Sequence, residues 1–431
     1  MRRTLGWLVL VWMMSARPGL AQSILYNSTE TRLTEDFAWI PYAFSSASFG
    51  LGFGVGASYS GWPAEESSLI GAATLGTKFS YNFALGASDL RVPGAKRLYV
   101  EPLLILGKYQ DQFIYAGRNN PGFEGQRAGA NDSDADNYVE ATQWDNRAEV
   151  LFRYLLPVGH GRDENTIISR YVLKEGLLAS GATGGASWNP MTSGRTYLKL
   201  TPQVREQTYE NDDLNVPLRT LNLETAVERE NWDFPFNPTR GSYQRVAYTR
   251  DFDSDEALGE WDLWEVDLAK VFNLGQTGIF RQQVLALNGW TAYTPSWETD
   301  SVDGQAVVTR RPPPYAGATL GGLTRMRGFE DNRFQDKAAI YYAAEYRVIP
   351  EWQPLRHITA LEWADISYWQ FVAFVEAGQV SPDWRIDDLH SDLHIDGGVG
   401  LRGMLHKAVC RLDVAVSEEG LRITAMYGHP F

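Results

Sequence analysis

From Phe44 to the end of the chain, apolar and polar residues alternate with a period of two in segments of roughly ten or more residues, broken by turn-forming or acidic clusters. The last segment is the plainest. In Leu421–Phe431, the positions Leu421, Ile423, Ala425, Tyr427 and Phe431 make an apolar face, and Arg422, Thr424 and Gly428 make the other. Just before it, Cys410, Leu412, Val414 and Val416 oppose Arg411 and Asp413, so Cys410 reads as a small apolar residue on the outward face. Earlier, Tyr197, Lys199, Thr201, Gln203 and Arg205 oppose Leu198, Leu200, Pro202 and Val204, and Asn222, Glu224 and Glu228 oppose Leu221, Leu223 and Val227. Charged residues that repeatedly share one strand face fit a wet interior better than the dry core of a sandwich. About fifteen such segments can be counted, and the even strand number of single-chain bacterial barrels raises this to about sixteen. The pattern therefore predicts an all-β fold, a transmembrane antiparallel β-barrel over residues 44–431.

Gly50, Gly52, Gly54 and Gly56 blur the alternation by removing side chains from one face of an early strand. Two readings stay open: room in a crowded lumen or a bend, and a weakly held first strand that can part from the last. Loops fall where alternation stops, at Ala116–Asn137, Gly176–Gly194, Asp251–Glu256 and the longest, about Thr294–Phe334, which carries Arg310, Arg311 and the stiff run Pro312–Pro314. Long loops are expected on the extracellular side and short turns on the periplasmic side.

Met1–Ala21, with arginines at positions 2 and 3 and an apolar run from Leu5 to Met14, reads as a cleaved signal peptide. A short segment, 22–43, then precedes the barrel. No later apolar run has the length of a membrane helix, so any spanning role falls to strands. The 15 Trp and 21 Tyr suit the two membrane interfaces. A net charge of −14 with no basic stripe argues against a nucleic-acid partner, and the single cysteine excludes an internal disulfide.

The stretch Gly321–Arg347 joins a glycine-rich basic loop, Met326-Arg327-Gly328-Phe329, to an alternating strand that carries Glu345 and Arg347 on one face. With Arg333-Phe334 and Glu345-Tyr346-Arg347, it resembles the sixth extracellular loop and following strand of the BamA/TamA-type bacterial surface-antigen family. Members of that family are outer-membrane barrels that insert or translocate other proteins. Asn237–Gly241, Gly398–Arg402 and the end Tyr427–Phe431 extend the resemblance over roughly the carboxyl half, from about Phe234. It implies that the loop folds into the lumen, where Arg327, beside Gly328 and Phe329, meets Glu345, Phe374, Glu376 and Gly378. It also implies that Tyr427 and Phe431 form a carboxyl-terminal assembly signal. A guanidinium drawn out of water into a barrel needs such partners, two carboxylates for its donors and an aromatic face above it. Family members more often carry aspartate where this chain has Glu376.

Family members with insertion or secretion roles carry POTRA domains ahead of the barrel. The interval between Gln22 and Phe44 is too short for one, so a barrel-only member is expected. The resemblance implies a non-enzymatic protein of a Gram-negative outer membrane that assists insertion or passage of proteins or lipids. Its expected partners are outer-membrane lipid and either client barrels or a separate periplasmic protein. A passive pore and a lipid hydrolase are the other readings. No Gly-x-Ser-x-Gly elbow or phosphate-cradling loop is present. Of the six histidines only His390 and His394 are four apart, and they read as solvated loop residues, with no metal site or cofactor expected. The acidic run Asn131–Asp136 reads as a solvated loop tip.

Overall fold

A strand that is apolar on one face and charged on the other needs two different solvents, and pairing such strands edge to edge gives it both while satisfying the backbone. The computed structural model describes residues 11–12, 24–28 and 36–431, apart from 47, 116–121, 124, 165–166, 213, 254–258, 303–304, 354–365 and 406–407. Among the described residues, sixteen strands form one continuous antiparallel ladder. The first half comprises β1 (Asp36–Ser46), β2 (Gly50–Ser60), β3 (Ser68–Gly76), β4 (Tyr81–Ser88), β5 (Leu98–Ile114), β6 (Val139–Leu155), β7 (Arg195–Asn211) and β8 (Leu214–Glu230). The second half comprises β9 (Gly241–Asp251), β10 (Asp262–Gly275), β11 (Phe280–Tyr293), β12 (Ala338–Pro350), β13 (Ile366–Ser381), β14 (His394–Leu405), β15 (Ala408–Ser417) and β16 (Gly420–Tyr427).

Short strands in the connections raise the total above the sixteen expected, and β1 starts at Asp36, inside the segment expected to precede the barrel. Of the expected signal peptide only Val11 and Trp12 are described, paired in parallel with Ala425 and Met426 of β16. β1 and β16 are the two ends of the ladder, and no register between them is described.

The faces are inside out relative to a water-soluble protein. Val227, Leu268, Val375 and Leu421 are 50–62% exposed, whereas Glu345, Gln370 and Arg402 are fully buried on the opposite face. The outer apolar face suits lipid and the inner one a polar lumen. The glycines of β2 lie on the inner face. A Cβ at Gly54 would sit 2.3 Å from the Tyr42 ring, whose hydroxyl shares a 2.6 Å hydrogen bond with Thr74, so there the missing side chain makes room for a lumen aromatic.

β1 begins and β16 ends at the same end of the barrel, so connections after even-numbered strands lie at that termini end. Connections after odd-numbered strands lie at the other, the loop end. The 115–138 and 294–337 segments are at the loop end. The connection that contains Gly176–Gly194, expected on the extracellular side with the other long loops, instead follows β6 and lies at the termini end. Its length misleads because it is not open loop. It holds a hairpin, Ser169–Lys174 with Leu177–Ser180, and the hairpin's Tyr171 is buried against Phe234 and the lumen-facing Ile349, Tyr368 and Met404.

Candidate functional site: an arginine clamp between loop and wall

The connection between β11 and β12 turns back into the lumen. Pro312, Pro313 and Pro314 are buried, and the next residue, Tyr315, lies under the Arg205 guanidinium of β7 at 3.8 Å and shares a 3.0 Å hydrogen bond with Thr220 of β8. Further along, Ala318–Leu320 pairs with Phe334–Asp336 in a small two-stranded sheet. Between these strands Met326 takes a left-handed φ of 56°, which aims Arg327 at the wall. The loop thus touches β7 and β8 on one side and β12 to β15 on the other, across the interior of a curled sheet.

Arg327 is fully buried. Its Nη2 lies 3.0 Å from Glu345 Oε1 on β12, its Nε donates to Glu376 Oε1 on β13 at 3.1 Å, and its Nη1 donates to Asp413 Oδ2 on β15 at 3.0 Å. The Phe374 ring covers the guanidinium at 3.5 Å. Backbone N–H groups add to this. Arg327 donates to Glu376 Oε2 at 2.7 Å, and Gly328 donates to Asp396 Oδ2 at 3.1 Å. Glu376 and Asp396 are cross-strand partners, so consecutive loop amides grip two adjacent strands. Ser417 in turn donates to the Gly328 carbonyl at 2.8 Å.

The wall carries more charge than the loop alone requires. Glu345 also accepts from Arg402 Nη2 at 2.7 and 2.8 Å and from Arg347 Nε at 2.8 Å, and Arg411 Nη1 donates to Asp413 Oδ2 at 3.0 Å. Four guanidinium groups therefore face Glu345, Glu376, Asp396 and Asp413. Such a network is tolerable in a water-poor interior because Glu345, Glu376 and Asp413 each meet a guanidinium group in a directed contact, while Asp396 accepts from the Gly328 backbone amide. Tyr341 donates to Glu376 as well.

The glycines are spatial requirements. A Cβ on Gly328 would lie 2.6 Å from Asp396 Cβ, and one on Gly378 would lie 2.9 Å from Leu320 and 3.2 Å from the Met326 sulfur. Gly398 and Gly400 on β14 leave the space that the Phe374 ring and the Asp413 carboxylate occupy. Phe329 is fully buried and packs edge-on to Phe334 at 5.2 Å.

The structure thus brings Arg327, Gly328, Phe329, Glu345, Phe374, Glu376 and Gly378 into one site. Sequence reasoning missed Asp413, Asp396, Arg347 and Arg402 as members of it. Strand parity marks them, since each lies on the inward face of its strand, but parity does not say which inward residues lie at the depth of the loop. Of the proposed assembly signal, the Tyr427 backbone pairs with Cys410, and its side chain lies outside the described residues. Phe431 turns inward under Arg347, 5.3 Å from its guanidinium. His429 bridges Arg402, at 2.7 Å, and the Phe236 carbonyl, at 3.0 Å.

His394 is not the solvated loop residue expected. It stacks on Phe334 at 4.2 Å, and its ring nitrogens reach the Asn131 carbonyl at 2.8 Å and Glu418 at 2.6 Å. His390 bonds Tyr342 and the Ile386 carbonyl. His357 and His406 lie outside the described residues. Among the described residues, no group of three or more His, Cys, Asp or Glu could hold a metal. Asn131, at the head of the acidic run, donates to the Asp392 carbonyl at 3.0 Å and accepts from the Val380 amide at 3.0 Å, so that end of the run is docked rather than free.

Fold and site together define a transmembrane-type β-barrel whose longest loop is held in the lumen by a buried arginine. No protein-family model and no curated protein sequence matches the chain. Among solved structures, CdiB from Escherichia coli superposes with a TM-score of 0.54 at 12% identity, over 92% of this chain and 63% of that one, and shows the same fold. BamA from Haemophilus ducreyi lacking POTRA domains 1–3 gives a TM-score of 0.49 at 13% identity, over 92% of this chain and 70% of that one. CdiB from Acinetobacter baumannii gives 0.47 at 12%, over 89% and 57%. The chain spans less than two thirds of either CdiB chain.

Proposed function

We propose that this protein resides in a Gram-negative outer membrane and assists the insertion or passage of other proteins, or of lipids, through its barrel. The observation that carries the reading is the clamp. Arg327 ties an inward-folded loop to β12, β13 and β15, and Ser417 ties it to the end of the strand beside β16, one edge of the ladder. A loop so anchored sets the shape of the lumen next to a seam that can open toward lipid. The reading assigns the protein no chemical reaction. Its partners are membrane lipid and client barrels, with a separate periplasmic protein as a further candidate.

A passive pore is the second reading, favoured by a lumen cavity of about 660 Å³ lined by polar groups such as Asp145, Lys199, Glu228 and Arg245. The test is the folding rate of an unrelated outer-membrane barrel into liposomes with and without the purified protein. Acceleration is expected. Ion conductance with no acceleration in the same vesicles would replace the insertion reading with the pore.

A further inference from the structure

The connection between β6 and β7 does more than link two strands. Its hairpin, Ser169–Lys174 with Leu177–Ser180, has its turn pressed on the wall, where a Cβ on Gly176 would meet Ser367 and Tyr368 at 2.6 and 2.8 Å. Glu175 accepts from Arg281 at 2.8 Å. Tyr171 is buried with Ile349 and Met404, each two residues, hence one pleat, beyond the clamp residues Arg347 and Arg402. Arg195 holds the base of the hairpin through Ser169 and the Ile167 carbonyl. The hairpin is therefore a fixed element at the termini-end mouth of the lumen, directly beneath the clamp.

One edge of its first strand is taken by its hairpin partner. The other pairs in parallel with Ile24–Ser28, in the register Ser169↔Ile24 to Leu173↔Ser28. This pairing stands outside the barrel ladder and is five residues long. Parallel pairs are slightly weaker per residue than antiparallel ones, and a short strand at a sheet edge opens far more easily than the body of a fold. An edge that binds one extended segment through its main chain binds others of similar shape, because backbone hydrogen bonds carry most of the affinity and alternate side chains only tune it.

We propose that the Ser169–Leu173 edge is a docking strand for an extended segment of a client polypeptide, and that Ile24–Ser28 is a displaceable occupant that guards it. Its purpose rests on the insertion reading; its test does not. A client segment docked here lies at the lumen mouth already in strand conformation, the form it takes in a membrane barrel. As a tethered competitor, the protein's own segment acts at an effective concentration on the order of mM, so the edge is covered until a better strand arrives.

The probe is a fluorescent peptide carrying residues 22–31, with a scrambled version as control. Three proteins are compared: the parent, a variant lacking residues 24–28, and Asn27→Cys/Val172→Cys in a Cys410→Ser background, in which the substituted positions are register partners. The deletion variant is expected to bind the peptide at least roughly tenfold more tightly than the parent, because it has lost the tethered competitor. The cysteine pair should form a disulfide, bind no peptide while oxidised, and bind when reduced. Absence of a disulfide, equal binding by the oxidised and reduced forms, equal binding of the scrambled peptide, or no binding by a deletion variant that melts as the parent does would each overturn the proposal. Peptide binding without acceleration of client folding would leave the docking edge standing and refute the insertion reading alone.

Discussion

Arg327 gives up its whole hydration shell to sit among Glu345, Glu376 and Asp413. Removing one member of such a set leaves the others uncompensated in a water-poor interior. Arg327→Ala is therefore expected to destabilise the folded barrel by about 3–5 kcal/mol, read as a lowered urea midpoint in detergent. Arg327→Lys keeps the charge but loses the planar fork that reaches three carboxylates from one group, so its midpoint should fall between parent and alanine variant. Gly328→Ala acts by volume alone. Its Cβ would collide with Asp396, so the loop should lift from the wall and be cut by protease at 294–337 while the barrel strands stay protected. At this scale the sequence was legible where parity and motif agreed, as for Arg327, Glu345, Phe374 and Glu376. It was not legible for Asp413 and Arg402, whose place in the site depends on the depth of β14 and β15 relative to the loop, which alternation within one strand does not encode.

The long loop is an element with four further contacts at the loop end. Arg333 donates to the Ser133 hydroxyl at 2.8 Å and to Glu419 at 2.8 Å, and the Gln335 amide donates to the Gly129 carbonyl at 2.7 Å. Arg127 reaches Asp336 at 2.5 Å. The Ser133, Gly129 and Arg127 contacts join the 115–138 and 294–337 segments into one cap, which Glu419 ties to the β15–β16 turn, so Arg333→Ala should raise proteolysis in both segments together while leaving the Arg327 contacts in place. Cleavage confined to one segment would show that the cap is not a unit. The wall strands were readable as elements because their period-two pattern is long. The β6–β7 connection was misplaced because Gly, Ser and Ala between Gly176 and Gly194 hide the adjoining hairpin, and with one wall strand unassigned the parity that fixes each connection's end could not be followed.

In the whole molecule, the clamp, the hairpin beneath it and the inward-turned Phe431 stack in the carboxyl half of the lumen, and the polar cavity lies beside them, lined from β1 to β11 and by His429–Phe431. If the clamp shapes the lumen and steadies the strands near β16, it couples loop position to the seam between the first and last strands. The most direct measurement of that coupling is client-barrel folding in liposomes containing either the parent or Arg327→Ala, at a denaturant concentration at which both remain folded. We predict that the parent accelerates client folding and that the alanine variant loses most of the acceleration while its own barrel persists. Equal acceleration by a folded Arg327→Ala barrel would contradict the claim that the loop clamp is part of the working machinery.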